Sequence, residues 1–322
     1  MSHCNWGILG AGFISTRAII PALQQAPAVH ILALASRSAE RAQSIATQFG
    51  IQRTYTDYQS LLDDPDINAV YIALPNHLHH EWTIRAAQAG KHVLCEKPLA
   101  LTASECDEMI TACWQANVLL MEAVMYRFHP RMAYLKQLLN SGELGDIRLL
   151  HFAFSFPFKA TENYRAYPEF GGGALLDIGS YCVNAARWLV GSEPQDVQGF
   201  SYSQNCIDIA TSAVLRFEQD VLAHIQCSFA AAEHQVIEVV GTKGAVTAPH
   251  AFTAWREDQT VLIIQRGSAF EQREFAPADP YLLMVEHFTD CTLKRTSLLY
   301  SPTDGRATLG VLDRLRLSRE QI

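Results

Sequence analysis

A Gly-x-Gly-x-x-small pattern standing between an apolar run and a helical one constrains this chain more than any other feature. Trp6-Gly7-Ile8-Leu9 reads as a buried strand, and Gly10-Ala11-Gly12-Phe13-Ile14-Ser15 follows it at once. Gly10 is expected to allow a tight turn and Gly12 to let backbone approach a pyrophosphate. Ser15 stands where a third small residue lets the next helix pack closely. Phe13 and Ile14 complete this segment of the expected dinucleotide site.

The surroundings support that reading. Over the first 120 residues short apolar runs alternate with amphipathic stretches, as strands and crossover helices of a parallel sheet do. Strands are predicted at Trp6–Leu9, Ile31–Ala35, Ala69–Leu74, His92–Cys95 and Val118–Met121. Helices are predicted at Ser38–Phe49, closed by Gly50, at Glu81–Ala89, closed by Gly90, and from the Thr102-x-x-Glu105 capping box to about Gln115. After about Arg127 the strands lengthen and often alternate, at Ile147–Phe156, Val197–Tyr202, Ile209–Phe217, Leu222–Phe229, Val236–Val240 and Val261–Gln265. Helical stretches are expected at Asp177–Leu189, Tyr281–Leu293 and Arg306–Ser318. The fold class is an α/β Rossmann domain over residues 1–123, then an α+β domain over 124–322 with a largely antiparallel open sheet. The last helix is a candidate to pack back on the first domain, and the active site is expected in the cleft between the two.

Composition narrows the partners. The net charge of -8 over 322 residues, with no run of Lys and Arg, argues against nucleic acid and anionic membranes. Eight scattered cysteines show neither zinc-site spacing nor a disulfide framework. No metal is expected, and the absence of a leader-like or spanning segment points to the cytoplasm.

Selectivity for the cofactor is read at the end of the second strand. A carboxylate about 20 residues past the glycines serves the ribose hydroxyls of NAD. Ser36-Arg37 holds that place here, with Arg41 one turn on, so a 2′-phosphate is favoured: NADP is the expected cofactor and NAD the alternative.

Pro75-Asn76-His77-Leu78-His79 and Gly90-Lys91-His92-Val93-Leu94-Cys95-Glu96-Lys97-Pro98 resemble the glucose-fructose oxidoreductase/inositol dehydrogenase (Gfo/Idh/MocA) family. The likeness runs on through Met121-Glu122-Ala123, Arg127-Phe128, the stretch from Gly171 to Tyr181, and Gly241-Thr242-Lys243-Gly244. It implies that Leu74, Pro75, Asn76, His79, Glu96, Lys97 and Arg127 border the cofactor, and that Lys97 lies near the reacting oxygen. Many members carry Asp-x-Gly-x-His. Asp177-Ile178-Gly179-Ser180-Tyr181 departs from that form and resembles the branch of dimeric dihydrodiol dehydrogenase and certain xylose dehydrogenases.

The residues make chemical sense without the family. If Asp177 begins a helix, Asp177, Tyr181 and Asn184 share one face. A Tyr beside a Lys⁺ has its pKa drawn toward neutrality and can exchange a hydroxyl proton while a hydride moves to or from nicotinamide. The expected catalytic residues are therefore Lys97 and Tyr181, and the expected substrate residues Asp177, Tyr181, Phe156 and Arg165. The substrate expected is an aldose or cyclic trans-diol. Glycoside cleavage through transient oxidation and a non-catalytic dinucleotide sensor are the alternatives. The open sheet makes a homodimer or larger homo-oligomer the expected assembly.

Overall fold

The computed structural model describes residues 3–158, 163–294, 296–318 and 320–321. It divides into two compact units, residues 1–125 with 281–306 and residues 126–280 with 307–322. The division falls at Met125/Tyr126, and Tyr281–Arg306 cluster with the first unit rather than with the run that follows residue 123.

In the first unit six parallel strands form one sheet: β1 (Cys4–Leu9), β2 (Val29–Ala35), β3 (Arg53–Tyr55), β4 (Ala69–Ile72), β5 (His92–Cys95) and β6 (Leu120–Glu122). Their order is β3-β2-β1-β4-β5-β6. The order reverses at β1, which pairs with β2 on one side and β4 on the other. Ligands of open parallel sheets bind at the carboxyl ends of the strands beside such a reversal. Every residue of β4, and nearly every residue of β1 and β5, is buried, as strands covered on both faces should be.

The crossover helices are α1 (Ile20–Gln25), α2 (Ala39–Phe49), α3 (Tyr58–Leu62), α4 (His79–Gln88) and α5 (Ala103–Gln115). Ser38 caps α2 by accepting from the Arg41 N–H, and Gly50 closes it at φ 70°. At α5 the Thr102 hydroxyl accepts from the Glu105 N–H at 3.2 Å, while the Glu105 carboxylate accepts from the Leu101 N–H at 2.8 Å, one residue ahead of the Thr102 N–H that a reciprocal box uses.

The second unit carries a nine-stranded sheet: β7 (Ile147–Ser155), β8 (Asp196–Gln204), β9 (Ile207–Arg216), β10 (Leu222–Ser228), β11 (His234–Gly241), β12 (Gly244–Pro249), β13 (Thr260–Arg266), β14 (Ala269–Phe275) and β15 (Glu320–Gln321). The order is β14-β13-β12-β11-β7-β10-β9-β8-β15, antiparallel except at β7/β10 and β8/β15. Two helices precede β8, α6 (Pro130–Asn140) and α7 (Ser180–Val190). In β10, Ala223, Ile225 and Cys227 are buried while Leu222 and Gln226 are exposed, the period of a sheet with one open face. Leu222, Leu149 and Val240 lie in register across that open face. Two late helices follow, α8 (Pro280–Lys294) and α9 (Pro302–Ser318). Among the described residues no helix is long and apolar enough to cross a membrane.

Candidate active site

The glycine turn after β1 comes first. Gly10 sits at φ +107°, and a Cβ there would lie 2.5 Å from the Ala73 carbonyl oxygen, so only glycine fits. The Ser15 hydroxyl donates back to the Gly10 carbonyl at 2.8 Å, which seats the following helix, whose first turn over Ser15–Ile19 is wide. Gly12 answers a different demand. A Cβ there would meet no atom of the described residues within 4 Å, so none of them requires glycine at that point. The open space in front of it is what the close approach of a pyrophosphate needs.

At the end of β2, Ser36 is buried and its hydroxyl accepts from the Ser38 N–H at 3.3 Å. Arg37, just ahead of the Ser38 cap, and Arg41, on the first turn of α2, are both exposed. Arg37 reaches the Tyr58 hydroxyl: burial raises the Tyr58 pKa, and Arg37 opposes that rise. A surface hollow of about 650 Å³ is lined here by Phe13, Arg17, Ser38 and Arg41, with Glu40 its unfavourable member for an anion. Hydroxyl, guanidinium and helix N-terminus together match what a 2′-phosphate requires, and these residues fit a bound NADP.

The loops after β4 and β5 are tied to each other. His79, fully buried, places Nε2 at 2.9 Å from the Leu74 carbonyl and Nδ1 at 2.8 Å from the Pro98 carbonyl. Burial lowers its pKa to about 4 against the pull of those carbonyls, so the ring is neutral at physiological pH and gives its single N–H to one of them. Asn76 is buried on the same loop. His80 goes elsewhere, to Glu108 at 2.9 Å. Tyr71 donates to the Glu96 carboxylate, and burial together with that carboxylate keeps the Tyr71 phenol protonated. The other Glu96 oxygen accepts from the Lys97 N–H at 3.2 Å. Two residues on, the Leu99 N–H donates to the buried Glu122 carboxylate at 2.9 Å, and Tyr300 donates to the Glu122 carbonyl at 2.9 Å. Half-buried Lys97 thus rides on a loop fixed on both sides, at the strand edge that also carries the glycine turn.

In the second unit, Tyr181 is 8% exposed and walled by the rings of Tyr126, Phe154 and Phe252, with centroids 5.9, 5.5 and 5.6 Å away. Asn184, one turn further, accepts from the Tyr126 hydroxyl at 2.7 Å. Asp177 does not begin the helix. A wide turn spans Leu175–Gly179 ahead of α7, and the group satisfying its first turn is Asp208 of β9, whose carboxylate accepts from the Leu175 N–H at 2.5 Å. Asp177 spends both oxygens on Arg165, at 2.6 and 3.1 Å. Sequence reasoning missed Asp208 because it lies 33 residues from its partner and belongs to a strand with no unusual pattern. The glycine run is explained by the same neighbours. A Cβ on Gly172 would strike the Arg165 carbonyl at 2.4 Å, and one on Gly173, at φ +105°, would strike the Asp208 carboxylate.

Phe156 lies in an aromatic cluster with Phe154, Phe158 and Phe229. Arg127, expected among the cofactor residues, belongs to the second unit, where its guanidinium lies 4.9 Å from the Trp188 ring centre.

Comparison with known proteins gives a coherent set. Residues 4–124 match the oxidoreductase family with an NAD-binding Rossmann fold, and residues 132–247 match the GFO/IDH/MocA C-terminal domain. A D-xylose 1-dehydrogenase (NADP(+)) of Haloferax volcanii is 36% identical over 88% of this chain and 87% of its own. A trans-1,2-dihydrobenzene-1,2-diol dehydrogenase of Xenopus laevis is 31% identical over 96% of each. Among solved structures, a 3-ketoreductase from Actinomadura kijaniata, crystallised with NADP and TDP-benzene, superposes with a TM-score of 0.93 at 29% identity, covering 100% of this chain and 99% of that one.

Proposed function

Since the chain belongs to the GFO/IDH/MocA oxidoreductase family, we propose that it is an NADP-preferring dehydrogenase or reductase acting at a hydroxyl-bearing carbon of a sugar or cyclic trans-diol. The observation that carries this reading is the setting of Lys97: half-buried, immobilised by its loop, and at the same strand edge as an open glycine turn and a phosphate-suited Ser36-Arg37. The NADP named for the xylose dehydrogenase and bound in the ketoreductase supports the choice of cofactor.

Bound NADP supplies the hydride donor or acceptor at its nicotinamide ring. The chain does the rest. Gly10, Gly12 and the helix that follows them receive the pyrophosphate, Ser36, Arg37 and Arg41 the 2′-phosphate, and the Asn76 and Glu96 loops border the remainder. Lys97 polarises the substrate oxygen and favours its charged form. Tyr181 takes the hydroxyl proton in oxidation and returns it in reduction. Its aromatic walls exclude water from the phenol.

The test is absorbance of the reduced cofactor across pentoses, hexoses, their lactones and cyclic diols, with a TDP-linked keto sugar added because of the ketoreductase likeness. We expect NADP-coupled turnover of at least one neutral polyol and loss of about 10²-fold or more in Tyr181→Phe, with cofactor affinity unchanged. Sugar cleavage without net change in the cofactor, or near-parent hydride transfer in Tyr181→Phe, overturns the reading.

A further inference from the structure

A phenol enclosed by three aromatic rings is poorly placed to ionise, because desolvation disfavours the phenolate. Asp177, one turn back on the same segment, is a buried carboxylate whose negative charge adds to the difficulty. Tyr181 needs positive charge held close if it is to pass protons near neutrality, and its own unit contains a cation built for the purpose.

Arg165 is held on its loop with the side chain three-quarters buried. Its fork grips Asp177 through Nε and Nη2, and its guanidinium lies over the Tyr164 ring at 4.7 Å. Its backbone is fixed as well. The Arg165 N–H donates to the Asn163 side chain at 3.1 Å and its carbonyl accepts from Gly173 at 3.0 Å, so the loop is locked to the turn that starts the acid/base helix. Bidentate pairing of this kind fixes orientation as well as charge. The electrostatics agree with the geometry. Burial alone would lower the Arg165 pKa, yet it is raised, because Asp177, Tyr164 and Tyr181 all favour the cation.

We propose that Arg165 is a positioning residue for the proton transfer: clamped by Asp177, it supplies a fixed positive charge that stabilises the Tyr181 phenolate. Asp177 then serves to hold Arg165 and not to contact substrate. Within its unit Arg165 interacts electrostatically with Tyr181, Tyr126 from the turn at Met125–Phe128 packs on its ring, Asp177 lies one turn back on its own segment, and Tyr164 stacks on Arg165. Phe154 and Phe252 add walls without charge. The inference rests on the reading of Tyr181 as proton carrier.

Arg165→Met leaves the Asp177 carboxylate un-neutralised beside the phenol, so the basic-side pKa in the kcat/KM profile should rise by about one unit, and the rate at neutral pH should fall about tenfold. Arg165→Met/Asp177→Asn removes both charges and should recover most of that displacement, so the double variant outperforms the single one. Arg165→Lys, which keeps charge without the fork, should fall between. The same ordering is readable without turnover from ¹³C-tyrosine NMR of the folded proteins, with the Tyr181 signal assigned by its absence in Tyr181→Phe. Slower turnover in Arg165→Met with an unmoved Tyr181 titration overturns the inference and leaves the Tyr181 reading standing. Parent-like hydride transfer in Tyr181→Phe removes both.

Discussion

At the glycine turn after β1 the chain is shaped by its own backbone: Gly10 adopts a conformation closed to other residues, and Ser15 bonds back across five positions. The helix carrying Tyr181 is shaped instead by side chains from far along the sequence, Arg165 from the preceding loop, Asp208 from β9 and Phe252 from beyond β12. The contrast matches the tasks. A dinucleotide offers the same phosphates whatever the reaction, and backbone N–H groups bind them without choosing a substrate. On the proposed reading, proton transfer depends on the electrostatics of one phenol, which the charged and aromatic side chains around it set.

Four measurements test that contrast. The largest effect is expected at the chemical groups. Lys97→Met should lower turnover about 10²-fold or more, and Lys97→Arg should not restore it, because a planar guanidinium does not reproduce a compact ammonium. If Lys97 and Tyr181 serve one step, stopped-flow rates of Lys97→Met/Tyr181→Phe should be little worse than those of the slower single variant. Losses that multiply would mean the two act in separate steps.

Next comes the His79 strut. Its pKa falls from the ordinary 6.5 to about 4 in the folded protein, chiefly through burial, so the unfolded chain binds the extra proton across that window. The sign follows: this contribution is complete above about pH 6.5 and is lost as the pH falls through 4, in all about 3 kcal/mol. Denaturant midpoints measured from pH 7 to pH 4 should fall less steeply in His79→Asn than in the parent. Parallel curves would show that His79 does not titrate on unfolding.

The two glycines separate shape from ligand. Gly10→Ala should destabilise the fold by about 1–3 kcal/mol, since it forces a side chain into the Ala73 carbonyl at positive φ. Gly12→Ala should leave thermal stability within about 0.5 kcal/mol and still weaken cofactor binding about tenfold. Equal effects on stability would undo the assignment of Gly12 to ligand approach. The smallest effect is at Arg37: Arg37→Ala should weaken NADP about tenfold and NAD hardly at all in binding titrations. Equal losses would place Arg37 outside the 2′-phosphate site.

The same contrast explains what can be read from sequence. The parallel sheet is legible because most of its strands are continuously apolar and its helices are bounded by local signals, Thr102 at the start of α5 and Gly50 at the end of α2. β14 is illegible: nearly every residue from Ala269 to Phe275 is exposed, so no alternation marks it, and it forms only because β13 offers an edge. β3 is three residues long and carries no period at all. At the site, the glycine turn and the Lys97 loop announce themselves by composition. The Arg165–Asp177 clamp and the Asp208 cap do not, because each joins residues whose separation no local pattern encodes. The sequence suggests Asp177 as a helix start, and the earlier wide turn displaces it from that place.

The Lys97 loop leans on Glu122, and the Glu122 carbonyl takes its hydrogen bond from Tyr300, while Trp6 at the start of the chain packs on Phe288 at 5.5 Å. A ribosome therefore releases the nucleotide-binding sheet long before the segment that completes it. For about half of synthesis the nascent first unit must wait without the segment that packs on Trp6, in the state most exposed to chaperones and proteases. Nonsense mutations late in the reading frame should accordingly damage the earliest-made part of the protein, and grafting the N-terminal 125 residues alone onto another domain would transplant a sheet without its keystone.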